Sequence, residues 1–254
     1  MLRSLFDPPE ADCPRCAGSR MSWGWSLAGP LAFGFARLCA WLGRSVLPIR
    51  VKCAECGLSF SHLHKERRSV VGYHGCKRAF ADRLVAGSVR PGDWETSRND
   101  YDWLGEGIYF WEDAPERAWQ WARYRYKDEA AVVATEIRLG RCMDLADTAF
   151  VDLLRGAYRD IVDAYQGAGL SLPKNEGKEQ KLRRLDRLVI DRVTESMDTP
   201  EGKYFQTVRA PFEEGEPMFP GAMLRTLSHI QIAVRDHRCI GPSVYRVLPG
   251  GKTA

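Results

Sequence analysis

Two Cys-x2-Cys pairs constrain this chain more than any other feature. Cys13-Pro-Arg-Cys16 and Cys53-Ala-Glu-Cys56 each make a tight turn that aims two sulfurs at one point. Two such knuckles are the usual way to give a tetrahedral Zn2+ four thiolates. The 36 residues between them exceed the usual spacing of a zinc ribbon, so the expectation is a ribbon-like module carrying an insert. His62 and His64 lie close by and read as ordinary polar residues of a strand or linker. The other four cysteines, Cys39, Cys76, Cys142 and Cys239, are scattered. Met1–Glu10 carries Asp7, Pro8 and Pro9 where a secretory leader needs an apolar stretch. A reducing, cytoplasmic setting is therefore expected rather than a disulfide scaffold.

The charge is divided in the same way as the cysteines. Residues 1–68 hold 10 Lys+Arg against 5 Asp+Glu, and the remainder holds 27 against 28. A basic appendage on a neutral body is the natural reading, with domains at 1–68 and 69–254. Four thiolates and one Zn2+ would add −2 to the appendage, leaving modest affinity for nucleic acid by charge alone. Within it, Met21–Ala36 carries no charge and includes Trp23, Trp25, Phe33 and Phe35. Gly24, Gly29, Pro30 and Gly34 weaken any helix there, so a membrane span is a poor reading. Leu31–Leu47 has helical spacing, with Arg37 and Arg44 on one face. The 21–49 insert can thus dock on a membrane surface, dock on a partner protein, or pack back on the body.

The body reads as α+β. Strands are expected at Val70–His74, Gly107–Trp111, Ala131–Leu139, Tyr204–Arg209, His229–Arg235 and Val244–Leu248. Helices are expected at Lys77–Ala86, ended by Gly87, and at Ala114–Tyr126, with Asp113 as N-cap and Pro115 at the first helical position. Two more are expected at Asp147–Tyr165 and Glu179–Met197, with Pro91–Asp102 and Ser171–Gly177 as loops.

Two stretches carry the chemistry. One is Val71-Gly72-Tyr73-His74-Gly75-Cys76, and the other is Leu104-Gly105-Glu106-Gly107-Ile108-Tyr109-Phe110-Trp111; each precedes a helix. The second lacks the third glycine that opens a helix in a dinucleotide-binding fingerprint, so a Rossmann fold is excluded there. In this order the two stretches resemble the ADP-ribosyltransferase superfamily, on its diphtheria-toxin and poly(ADP-ribose)-polymerase side. The body is similar to bacterial, toxin-like proteins of that superfamily, in layout over roughly residues 70–250.

That resemblance implies a split mixed sheet with flanking helices, and NAD+ as substrate. It assigns His74 to a ribose hydroxyl, the Gly75 backbone to the carboxamide, and Tyr109 to nicotinamide stacking. Gly105 and Gly107 keep the neighbouring loop slim, and Trp103 and Trp111 wall the site. Trp111 reads equally well as core, and Asn99 and Asp100 as turn formers. The third strand departs from the family: no Glu stands there, and His229 and Gln231 share one face of Ser228–Val234. Either can fill the third catalytic position. Glu213, Glu214 and Glu216 precede that strand and read as a solvated face. The absent Glu favours transfer of a single ADP-ribose to a protein or nucleic-acid acceptor. The alternatives are an NAD+ glycohydrolase and a non-catalytic module that binds ADP-ribose or a nucleotide. Cys76 reads as a small core residue rather than a nucleophile.

Overall fold

A computed structural model describes residues 68–99, 102–176, 182–200 and 202–250, with the backbone of three further strands at 21–25, 49–53 and 59–62. The chain divides into two compact units, Met1–Glu66 and Arg67–Ala254.

In the first unit, β1 (Met21–Trp25), β2 (Ile49–Cys53) and β3 (Ser59–His62) form an antiparallel sheet in that order. Met21 pairs with Cys53 and Trp25 with Ile49, so the residues flanking 26–48 are held side by side. Residues 26–48, Cys13, Cys16 and Cys56 lie outside the described residues, and Cys53 is described by its backbone only. No group of metal-ligating side chains occurs among the described residues.

The second unit is α+β. Its elements are β4 (Ser69–Lys77), α1 (Arg78–Val85), β5 (Ile108–Glu112), α2 (Pro115–Tyr126), β6 (Ala130–Arg138), β7 (Cys142–Asp144) and α3 (Val151–Gly167). There follow β8 (Asn175–Glu176), β9 (Leu182–Arg183), α4 (Arg184–Met197), β10 (Thr207–Phe212), β11 (His229–Val234) and β12 (Ile240–Val247). Seven strands make one sheet in the order β12-β6-β4-β5-β11-β10-β7, antiparallel except where β7 runs parallel to β10. Neighbouring side chains on a strand point to opposite faces, and the core divides accordingly. On one face Cys76, Phe110, Val133, Ile137 and Ile232 pack with Ala81 and Leu84 of α1. On the other, α2 covers Trp111, Val132 and Ala134, while α3 and α4 cover Met143, Val208, Ala210, Phe212 and Ala233. Among the described residues no helix is long and apolar enough to cross a membrane.

Local corrections follow from long-range contacts. Asp113 does not cap α2; Ala114 holds that position. Asp113 has φ 48°, and its N–H donates to the Val71 carbonyl at 3.0 Å, so sheet pairing rather than helix capping sets its backbone. Helix α4 starts at Arg184, five residues later than its periodicity suggests. The reason is Asn175, whose Oδ1 accepts from the N–H groups of Leu185 and Asp186 at 3.0 and 3.3 Å. The expected end of α1 is observed, with Gly87 at φ 69°.

Candidate functional site

Strands β4 and β6 pair along nine residues, but β4 and β5 share only Gly72↔Glu112 and Tyr73↔Trp111. Beyond those two pairs the strands part, and the two sequence motifs form the arms of the fork. His74 closes its crotch. A carbonyl can only accept, so the 2.8 Å contact to the Tyr109 oxygen makes His74 Nδ1 the donor and leaves Nε2 with the lone pair. The imidazole is wedged against Trp94 and Phe110, with ring centroids at 5.2 and 5.5 Å. Burial pushes its pKa below the ordinary histidine value, against the pull of the Tyr109 carbonyl.

Gly75 lies on the opposite face of β4 from His74. A Cβ there would stand 3.0 Å from both the Ala118 carbonyl and Trp121 Cε3 of α2. The glycine therefore lets helix and strand approach closely, and it sets the half-buried Trp121 ring over the backbone just beyond the fork. Trp121 in turn packs on Trp111 with centroids at 5.6 Å. Its side chain carries no motif signal, and only the three-dimensional packing brings it to the site.

Tyr109 does not face His74. The alternation of β5 puts Phe110 with His74 and sends the Tyr109 ring to the other face, against the core that holds Ala233 and Phe212. Its hydroxyl donates to the Gly105 carbonyl at 2.7 Å and accepts from the Leu104 N–H at 2.9 Å. Burial drives the phenol pKa well above its ordinary value, with Asp102 adding to the effect. Tyr109 thus braces the 97–107 loop. Asp102 braces the same loop, accepting from Ser97 Oγ at 2.8 Å and the Asn99 N–H at 2.5 Å. Asn99 makes the turn, and Asp100 and Tyr101 lie outside the described residues. Gly105, at φ 81°, sits against Asp191, and Gly107 sits against Ala233. Trp103 stands away from the fork, edge-on to Phe212 at 4.5 Å. Trp111 is buried in the core under α2. Cys76 is buried too, and burial pushes its thiol up to about 12, so it is a core residue and not a nucleophile.

Gln231 is the cross-strand partner of Trp111, and His229 lies two residues before it on the same face. His229 Nδ1 stands 2.7 Å from the Leu227 carbonyl and must be the donor. Arg117 Nε, at 3.4 Å from that nitrogen, is then a close cation rather than a hydrogen-bond partner. Burial lowers the His229 pKa and the Arg117 charge lowers it further, while the Leu227 carbonyl and Glu214 oppose them. The ring is thus neutral at pH 7, and its Nε2 lone pair is buried without a donor. Trp111 Nε1, a buried donor, has no acceptor either. An orphan acceptor and an orphan donor therefore flank Gln231.

The carboxylates before β11 need one correction. Glu214 is not solvated: its side chain is 12% exposed and binds Arg117 Nη2 at 2.7 Å. Arg117 also donates to Gln120 at 2.6 Å. Helix α2 thus gathers Arg117, Glu214 and His229 beside Gln231, on the face that carries Gly75 and Trp121.

Two buried histidines with lowered pKa values give a testable pH dependence. The unfolded chain protonates them near their ordinary value, about 6.5, while the folded chain resists. Stability contributed by neutral His74 and His229 is complete above that pH and falls as the pH drops below it. Urea midpoints should fall between pH 7.5 and 5.0, and His74→Asn with His229→Asn should flatten the slope. Midpoints that do not change over that range in the unsubstituted protein would refute this assignment. At Asp198 and Asp236 burial raises the pKa, but the Arg partners outweigh it and hold both carboxyls low, so these groups act only in more acid solution.

No protein-family model matches this chain, and no curated protein matches it in sequence.

Proposed function

We propose that the Arg67–Ala254 unit is an NAD+-dependent ADP-ribosyltransferase that moves a single ADP-ribose to a protein or nucleic-acid acceptor. The observation that carries this reading is the His74–Tyr109 hydrogen bond, which joins the two motifs where β4 and β5 part. Breaking the nicotinamide–ribose bond builds positive charge on the sugar. A site for it needs a flat clamp, exposed backbone polar groups, hydroxyl partners and a nearby negative charge.

Each need has a group at hand. His74 keeps Nε2 free to accept from a ribose hydroxyl. The Gly75 backbone, beyond the last β4–β5 pair, would meet the carboxamide. Trp121 takes over the stacking role that the resemblance gives to Tyr109, since Tyr109 is committed to its loop. A ribose hydroxyl both donates and accepts, and so matches His229 Nε2 together with the Gln231 amide beside it. Glu214 supplies the charge that the third strand lacks. In the reaction the C1′–N1 bond breaks and nicotinamide leaves. The acceptor nucleophile then bonds to C1′, and its proton passes to Glu214 or to His229 Nε2. The basic first unit, with Zn2+ on Cys13, Cys16, Cys53 and Cys56, would deliver the enzyme to its acceptor. The 21–49 segment would dock it on a protein or membrane surface.

The test is nicotinamide release by the full chain, with adenylate-labelled NAD+ and cell extract present. Release should occur, and the label should move to material sensitive to protease or to RNase. Trp121→Ala should weaken NAD+ binding by about 1–3 kcal/mol, the worth of one stacked ring. Release with no labelled acceptor would identify a glycohydrolase, and saturable NAD+ binding without release would identify a binding module. Neither binding nor release would end the NAD+ reading.

A further inference from the structure

A cavity of about 450 Å3 opens on the α3–α4 side of the sheet, away from the fork. Its walls are apolar: Trp103, Leu104, Leu154, Val189, Ile190 and Phe212. Its charged lining comes from Arg155, Arg183 and Asp186. Arg155 stands at the rim with a largely exposed side chain. Arg183 is built into the wall. Its guanidinium carbon lies 4.3 Å from the Trp103 ring centroid and 5.3 Å from that of Phe212. Its Nε is buried with no acceptor. The carboxylate of Asp186 is 3.7 Å from Nη1 and already accepts from Asn175 at 2.8 Å.

The Arg183 side chain as a whole keeps 28% of its surface exposed, so its guanidinium can meet a ligand in the cavity. Two aromatic faces hold this guanidinium in place. An apolar space of this size is that of a small-molecule site. We propose that the cavity binds an organic carboxylate with an apolar body, its head group on Arg183 and its chain among Leu154, Val189 and Ile190. The Arg183 Nη–H groups donate to the carboxylate oxygens, and Arg155, 3.8 Å from Asp152 on its own helix, stands at the entrance. The inference is independent of the NAD+ reading, because His74, Gly75, Trp121, Glu214, His229 and Gln231 take no part in it.

Decanoate and decanol, titrated calorimetrically into the full chain below micelle-forming concentrations, separate the outcomes. Decanoate should bind saturably at one site and at least 10-fold more tightly than decanol, the factor that one charge-assisted hydrogen bond supplies. Arg183→Met should remove that preference and leave decanol binding unchanged. Val189→Trp, which fills the space, should abolish both, with circular dichroism confirming that each variant is folded. Three results would overturn the proposal: no saturable decanoate binding, equal affinity for decanol, or decanoate affinity unaltered in the folded Arg183→Met protein.

Discussion

Arg209→Met is expected to destabilise the Arg67–Ala254 unit by about 3–5 kcal/mol, the usual cost of breaking a buried ion pair from one side. Arg209 sits on β10 at 6% exposure. Its Nε and Nη2 donate to the two Glu112 oxygens at 2.5 and 2.8 Å, and Nη1 donates to both Asp144 oxygens at 3.0 and 3.2 Å. One guanidinium thus ties β5, β10 and β7 together. Its pKa is raised above the ordinary arginine value, first by the hydrogen bonds to Glu112. Methionine fills a similar space but leaves two buried carboxylates facing each other. Arg68, half-exposed and 3.4 Å from Glu112, can compensate only in part. Since whole domains hold about 5–15 kcal/mol, much of the margin goes. Urea unfolding at pH 7.5 measures it. Arg209→Met combined with Glu112→Gln and Asp144→Asn should recover much of the loss, because no buried charge is then left unpaired. A single variant within about 1 kcal/mol of the parent would show that the cluster is solvated.

The elements that local pattern defines were readable in the sequence. Pro115 marks the start of α2 and Gly87 the end of α1. Both motif strands stand where alternation and glycine spacing put them. What local pattern could not show was set by distant partners. Strand β7 is three residues long and owes its existence to parallel pairing with β10. The start of α4 depends on Asn175, outside the helix and 10 residues before Leu185. The faces of the fork were harder still. His74 takes one face of the sheet and Tyr109 and Gln231 the other, because one residue of strand register decides which face each side chain takes. Tyr109 lies on the far side from His74, and Trp121, a helix residue without motif context, occupies the place beside Gly75. Glu214 is the sharpest case. In a run with Glu213 and Glu216 it has the pattern of a solvated loop, and only Arg117, 97 residues away, reveals it as a buried charge.

Glu214→Gln is expected to lower the rate of nicotinamide release by about 10²–10³-fold, the usual effect of removing one preorganised group that stabilises transition-state charge. Affinity for NAD+ should change little, because the positive charge on the ribose exists only as the bond breaks. The carboxylate is held in position by its neighbours, since Arg117 fixes it at 2.7 Å and is itself fixed by Gln120. Burial, with the same guanidinium adding to it, keeps His229 neutral, so its Nε2 remains a base at pH 7. His229→Ala should therefore also lower the rate, but with a different pH profile. The His229-dependent part of the rate falls away below the lowered histidine pKa. Gln231→Glu places a second carboxylate beside the first, on the strand where the resemblance expects one. In a Glu214→Gln background it should restore turnover if charge is what the site requires. Full activity in Glu214→Gln, with activity lost in Gln231→Ala, would instead put the work on the amide. Ribose recognition through hydrogen bonds alone would then replace charge stabilisation as the basis of catalysis.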